Sequence, residues 1–358
     1  MGLLAACRPP DTSHHDTVNV IGWDIGGVNT KVARVNGWGA PAARAYPFEL
    51  QRDPSSLVPL LGRAVRDVGG EPNDTHAITM TAELSQLFRT KREGVAFVLD
   101  AVSTAFPSSR LLVYTVDGRF LDLPSARADP IAVAASNWAA TARGAAMCVP
   151  DAILLDIGTT TTDIIPIVEG RVAAIGRTDV ERLATGELVY SGAVRTPVEA
   201  LTHDVRLRGE TVGVSAEAFA LAGDVHLWRG TLAATDYTAA TPDGRPATRE
   251  LAGERLARVV CGDRELLDAS DIDAIAACAA EAQVERIAAG IQRVRARHPS
   301  LQTALVTGVG DFIAVAAAER SGLDVVYLAE HFGNAGARTA PAAAVALLLA
   351  QHLEDFSP

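Results

Sequence analysis

A short internal repeat constrains this chain more than any other feature. Residues 20–35, VIGWDIGGVNTKVARV, lie over residues 152–167, AILLDIGTTTTDIIPI, without a gap. The overlay sets Asp24 on Asp156, Ile25 on Ile157, Gly26 on Gly158 and Lys31 on Asp163. Each copy reads as an apolar strand, a tight polar turn and a second strand, because β-branched residues flank a glycine and no helical spacing interrupts them. The chain therefore reads as two related halves that each begin with the same hairpin. At 358 residues it also exceeds the roughly 250–300 residues at which one hydrophobic core stops growing. The expectation is an α/β, two-domain fold with duplicated hairpin-bearing sheets and a central cleft.

Composition narrows the class. Few aromatics and abundant Ala, Val, Leu and Gly suit helices packed on sheets rather than a disulfide scaffold. A net charge of -11 opposes a general attraction to nucleic acid or anionic lipid while leaving room for a local anion site. Cys7, Cys148, Cys261 and Cys278 form no C-x-x-C pair, so neither a zinc site nor a disulfide framework is indicated, and a reducing cytoplasm fits. MGLLAACRPP lacks the basic n-region and apolar h-region of a secretory signal. Residues 1–17, with His14 and His15, read as a flexible polar leader. No run reaches the ~18 apolar residues of a membrane span.

The expected domains are 18–147 and 148–339, with a C-terminal helix at about 340–358 packing back on the first. Helices are expected over 54–68, 93–105, 129–147 and 271–297, and strands over 76–84 and 111–116. Residues 176–262 have poor periodicity and read as a functional insertion with short elements of its own. A third glycine turn, ALVTGVGDFIAVAAAE (304–319), is a strand, a Gly-x-Gly-Asp turn and an Ala-rich helix, where Gly308 and Gly310 let a ligand approach the backbone.

Two such hairpins facing each other would hold phosphate. Backbone N–H groups freed by Gly26, Gly27 and Gly158, with Asn29, Thr30, Thr159, Thr160 and Thr161, can donate to phosphate oxygens. Asp24 and Asp156, at the strand ends, could hold Mg2+ directly or through water. Lys31 adds a point charge for a terminal phosphate. The plain alternative is that the aspartates cap turns and the threonines favour strand.

At these residues the sequence resembles the actin, sugar kinase and 70-kDa chaperone superfamily, with an actin-like ATPase (ribonuclease H-like) fold. DIGGVNTK and DIGTTTTD stand as its two phosphate hairpins, and VTGVGD stands where its adenosine turn would be. TMTAELSQLFRTKREGV (79–95), ASNWAATA (135–142), LVYSGAVRTPVEAL (188–201) and GRPATREL (244–251) resemble more closely the hydantoinase/oxoprolinase-like proteins linked to tetrahydromethanopterin C1 transfer. The resemblance implies an enzyme of methanofuran or methylofuran assembly. It would join an aminomethylfuran diphosphate to the phenol of tyrosine, tyramine or a γ-glutamyl derivative, with Mg2+ assisting diphosphate departure.

Such a reaction needs a base. Glu83, expected at the polar end of the strand over 76–84, ranks first and Asp163 second. Tyr190, Arg195 and Thr196 are the candidates for substrate contact. Asn137 and Trp138 fit helix packing as well as a site. The expected partners are the phosphorylated furan and the phenolic acceptor, with no nucleic acid and no membrane; a homodimer stays open. An ATP-dependent kinase or oxoprolinase-type ATPase, using ATP or ADP at the same residues, and a non-catalytic nucleotide-binding scaffold are the competing readings.

Overall fold

A computed structural model describes residues 19–36, 39–71 and 74–355; the expected leader, with Cys7, His14 and His15, lies outside the described residues. The first sheet is six-stranded in the order β3-β2-β1-β4-β5-β6. Its strands are β1 (Asn19–Ile25), β2 (Asn29–Asn36), β3 (Ala42–Pro47), β4 (Thr75–Met80), β5 (Leu111–Tyr114) and β6 (Phe120–Asp122). β1 and β2 are antiparallel, whereas β4 runs parallel to β1 and to β5.

The second half has β7 (Ala152–Ile157), β8 (Thr162–Val168), β9 (Arg171–Val172), β10 (Leu188–Val189), the separate hairpin β11 (Asp204–Leu207) and β12 (Glu210–Gly213), β13 (Thr303–Gly308) and β14 (Asp324–Tyr327). Its sheet runs β10-β8-β7-β13-β14, with β9 also on β8. A hairpin followed by parallel strands on the far side of its first strand is the ribonuclease H-like sheet of actin-like ATPases; the first sheet has it, and the second repeats its strand order, with β13 and β14 beyond the first strand of the hairpin.

Two compact units divide the chain: Met1–Leu154 with Ile165–Asp179 and Val326–Pro358, and Leu155–Ile164 with Val180–Val325. In the first, the sheet packs on the helices Leu57–Asp67 and Lys91–Ala105 around Ile21, Trp23, Leu61, Ile78, Val98 and Val102. Burial of such side chains contributes about 1.5–3 kcal/mol each. The helix Ala340–Asp355 lies against β1, β2, β4 and the helix Asn137–Ala146. In the second unit, the helices Ala222–Arg229 and Arg249–Arg258 and the hairpin β11–β12 pack on the long helix Ala269–Arg297. They share a core of Val205, Val225, Trp228, Leu256, Ile272 and Ile275.

Several local expectations need revision. The helix expected over 129–147 is two, Pro130–Val133 and Asn137–Ala146, because Ala134 is extended and Ala135 has a left-handed φ of 50°. The long helix starts earlier, at Ala269, where Asp268 and Asp271 close a reciprocal cap. The strand expected over 76–84 stops at Met80. Its last tie to the sheet is Thr81 N–H to the Ile25 carbonyl, 2.9 Å, and Ala82–Leu84 then turn as a single 3-10 element. Cys261 and Cys278 are free thiols. Cys148 is disulfide-bonded, where the sequence indicates no disulfide framework.

Candidate functional site

The two hairpins close identically. Gly26 N–H donates to the Asn29 carbonyl at 3.0 Å, and Gly158 N–H donates to the Thr161 carbonyl at 2.9 Å. The tips are thus Gly27–Val28 and Thr159–Thr160.

In the first unit, Asp24 is cross-strand to Lys31 and its Oδ2 lies 3.1 Å from the Lys31 ammonium. Asp24 Oδ1 is buried with no hydrogen-bond partner among the described residues, and so is Thr30 Oγ1. Buried polar oxygens are rarely left so; two in one hairpin could accept from a ligand's donors or face a cation. The Thr81 hydroxyl flanks Gly26, which leaves the strand ends of β1 and β4 side by side.

Glu83 lies just beyond, in the 3-10 turn, with its side chain 1% exposed. Its position is fixed by Gly94: a Cβ there would fall 2.5 Å from the Glu83 Cα, so only glycine lets the helix Lys91–Ala105 approach this closely. Lys91, the first residue of that helix, places its ammonium 3.7 Å from Glu83 Oε1 and 2.9 Å from Asp179 Oδ2. Glu83 Oε2 has no hydrogen-bond partner among the described residues. Burial pushes the Glu83 carboxyl up to about 7; Lys91 opposes the rise, while Asp179 and Asp24 add to it. A carboxyl poised there can take or give a proton near neutrality.

In the second unit, Asp156 sits under the Gly308–Gly310 turn. Gly308 has a φ of +95°, and a Cβ on it would fall 2.3 Å from the Ile157 carbonyl oxygen and 2.7 Å from Asp156 Oδ1. Gly310 N–H donates to the Ile157 carbonyl, 2.9 Å. The third glycine turn therefore braces the second hairpin. Segment 191–196 braces it from another side. Ala193 N–H donates to the Gly158 carbonyl (2.9 Å), Val194 and Arg195 N–H donate to the Thr159 carbonyl (3.1 and 3.0 Å), and Gly192 lies flat against Thr159 and Thr160. Thr162 donates to the Ser191 carbonyl at 2.6 Å. Thr196 is buried and accepts from Gly192 N–H, which makes it part of this brace, whereas the Tyr190 and Arg195 side chains are exposed beside the tip. Asp163 forms a buried ion pair with Arg182, itself 2% exposed.

The structure thus gathers Asp24, Gly26, Gly27, Asn29, Thr30 and Lys31 in one hairpin, with Glu83 on the neighbouring strand's extension. It gathers Asp156, Gly158, Thr159, Thr160, Thr161, Gly308, Gly310, Arg195 and Thr196 around the other. Lys91, Asp179 and Arg182 escaped the sequence reading, as did Gln283, whose amide donates to the Ser191 hydroxyl and the Gly192 carbonyl at 2.9 Å each. Lys91 was within sight, directly after the cap Thr90, but its bond to Asp179 joins residues 88 apart in the chain and that of Arg182 to Asp163 residues 19 apart.

A family model described as hydantoinase/oxoprolinase matches residues 74–352. The chain belongs to the hydantoinase/oxoprolinase family. Within that family it is 35% identical to the (4-{4-[2-(gamma-L-glutamylamino)ethyl]phenoxymethyl}furan-2-yl)methanamine synthase of Methanocaldococcus jannaschii, over 94% of this chain and 99% of that one. It is 33% identical to the synthase of the same name from Methanococcus vannielii, over 56% of this chain and 91% of that one. Among solved structures, nucleotide-free acetone carboxylase, from work on ATP-dependent acetone carboxylation, shares the fold at 12% identity, covering 91% of this chain and 70% of that one with a TM-score of 0.56.

Proposed function

We propose that this family member is a transferase of methanofuran-type cofactor assembly. It joins an aminomethylfuran diphosphate to the phenol oxygen of tyrosine, tyramine or a γ-glutamyl derivative, and releases diphosphate. The observation that carries the reading is the end-to-end likeness to the Methanocaldococcus jannaschii synthase, whose name contains the phenoxymethyl-furan ether such a condensation would create.

The residues support the chemistry. Glu83, as carboxylate, takes the phenol proton through Oε2, the oxygen with no protein partner. The phenolate oxygen bonds to the furan methylene carbon, the carbon–oxygen bond to diphosphate breaks, and its electron pair leaves with diphosphate. Exposed Leu84 and Leu87 give a planar acceptor ring an apolar surface next to the carboxylate. Lys31 and the N–H groups of the first turn meet the charge that develops on the leaving group. Asp163 is the weaker base, since its charge is already committed to Arg182.

Mg2+ fits Asp24, where one buried carboxylate oxygen lacks a protein partner. No group of three or more His, Cys, Asp or Glu able to hold a metal exists among the described residues, so a cation arriving on the diphosphate suits this site better than a caged one. When bound, Mg2+ supplies positive charge to the departing diphosphate. The second hairpin repeats the pattern with Asp156. No step requires ATP.

A substrate-omission assay tests the reading. Furan diphosphate and Mg2+ are supplied with and without the phenolic acceptor, and diphosphate is measured. Release that depends on acceptor supports the transferase; no release, with ADP formed when ATP is added, would turn the assignment to an ATP-dependent kinase. Asp156→Asn releasing diphosphate at the wild-type rate would remove the second hairpin from leaving-group departure.

A further inference from the structure

The ammonium of Lys91 is shared unequally between two carboxylates. At 2.9 Å it makes a charge-assisted hydrogen bond to Asp179 Oδ2; at 3.7 Å from Glu83 Oε1 it makes none. Both ends of the arrangement are held. Gly94 locks the Glu83 turn onto the helix, and Lys91 springs from that helix's first residue, where Thr90 caps it and Glu93 accepts from Arg89 N–H. Other charges in these elements are Arg92 and Glu93, exposed on the same helix, Arg177 and Glu181, exposed two residues either side of Asp179, and Asp24 on β1, paired with Lys31, which bears on Glu83 through space.

We infer that Lys91 and Asp179 act together as positioning residues that set the strength of the base: Asp179 draws the Lys91 ammonium off Glu83, so that Glu83 keeps enough proton affinity to deprotonate a phenol. The inference rests on Glu83 being the base. A carboxylate bonded directly to Lys91 would hold its charge too easily and be a poor proton acceptor. With no cation at all, a carboxyl this deeply buried would stay protonated and could accept nothing. Sharing Lys91 places Glu83 between these limits.

The experiment is the pH profile of kcat/KM for the full chain, with Asp179→Asn, Lys91→Met and Glu83→Gln beside wild type. The base must be ionised, so activity falls on the acid side of its titration. Asp179→Asn removes a repelling charge and frees Lys91 to turn to Glu83. Its acid limb is expected to move down by about one pH unit, a gain of roughly tenfold well below the wild-type limb, with a lower plateau. Lys91→Met moves the limb the other way, and Lys91→Arg restores it toward wild type. Limbs that stay put, or that move in the same direction in both variants, would overturn the inference, because a purely structural role lowers activity without displacing the profile. Should Lys91→Met fail to fold, the nearly isosteric Asp179→Asn decides the matter alone. Glu83→Gln separates the two levels: a wild-type rate and limb in that variant would remove the base itself rather than its tuning.

Discussion

The two hairpins share a sequence pattern, a closing hydrogen bond and outside donors to their tip carbonyls, Leu50 and Phe48 for the first and Val194 and Arg195 for the second, yet they differ in how their polar side chains are satisfied. In the second, Thr162 donates to the Ser191 carbonyl, the Thr159 carbonyl accepts from Val194 and Arg195, and Asp163 is neutralised by Arg182. In the first, the equivalent Thr30 hydroxyl and one oxygen of Asp24 have no partner among the described residues, and Lys31 stands where the second hairpin has Asp163. Duplication supplied one turn geometry twice. Divergence satisfied the threonine and aspartate of the second copy within its own unit and left two buried oxygens of the first, Asp24 Oδ1 and Thr30 Oγ1, without a partner among the described residues. The candidate base Glu83 extends the strand beside that first copy.

Matched substitutions sharpen this contrast. Arg182→Met would leave Asp163 buried without its cation, and a loss of about 3–5 kcal/mol in urea unfolding is expected; adding Asp163→Leu should recover most of it. Lys31→Met strikes the first hairpin at a residue that keeps solvent contact. A smaller loss of stability is expected there, with a fall in kcat/KM on the order of 10²–10³. If Lys31→Met merely destabilised the fold, the two hairpins would differ less than their bonding suggests.

Glu83→Gln probes the tension stored beside the first hairpin. The folded carboxyl sits at about 7 against an ordinary 4.5, so the stability it contributes is complete below pH 4.5 and lost as pH rises through 7. The glutamine variant should match wild type in acid and exceed it above pH 7 by roughly 3 kcal/mol in denaturant unfolding. The smallest effects come from the paired threonines. Thr162→Val strands the Ser191 carbonyl and should cost about 1–2 kcal/mol. Thr30→Val should leave unfolding unchanged and instead weaken binding of the diphosphate.

The repeat made both hairpins, their order and the third glycine turn legible, because backbone turns are written locally in glycine and hydroxyl residues. It could not tell the copies apart in role, since what distinguishes them is supplied from afar: Ser191 accepts from Thr162 and Arg182 pairs with Asp163 in one, whereas in the other the Thr30 hydroxyl and one Asp24 oxygen have no partner among the described residues. Glu83 was visible as a carboxylate at the end of an apolar run. Its burial was not, because Gly94 brings the helix onto it only in three dimensions. The break at Ala135 also escaped notice, as alanine gives no warning of a left-handed backbone. Lys91 falls just before the helix expected over 93–105, where a lysine's usual neighbour is solvent; the structure makes it the helix's first residue.

Ether formation itself is the most direct test. Purified protein would be incubated with Mg2+, the aminomethylfuran diphosphate and tyrosine or γ-glutamyltyramine, without ATP, and the products read by mass spectrometry. The expected result is the aryl ether with one diphosphate released per ether, abolished in Glu83→Gln. No ether from either acceptor, while parallel mixtures containing ATP yield ADP, would contradict it.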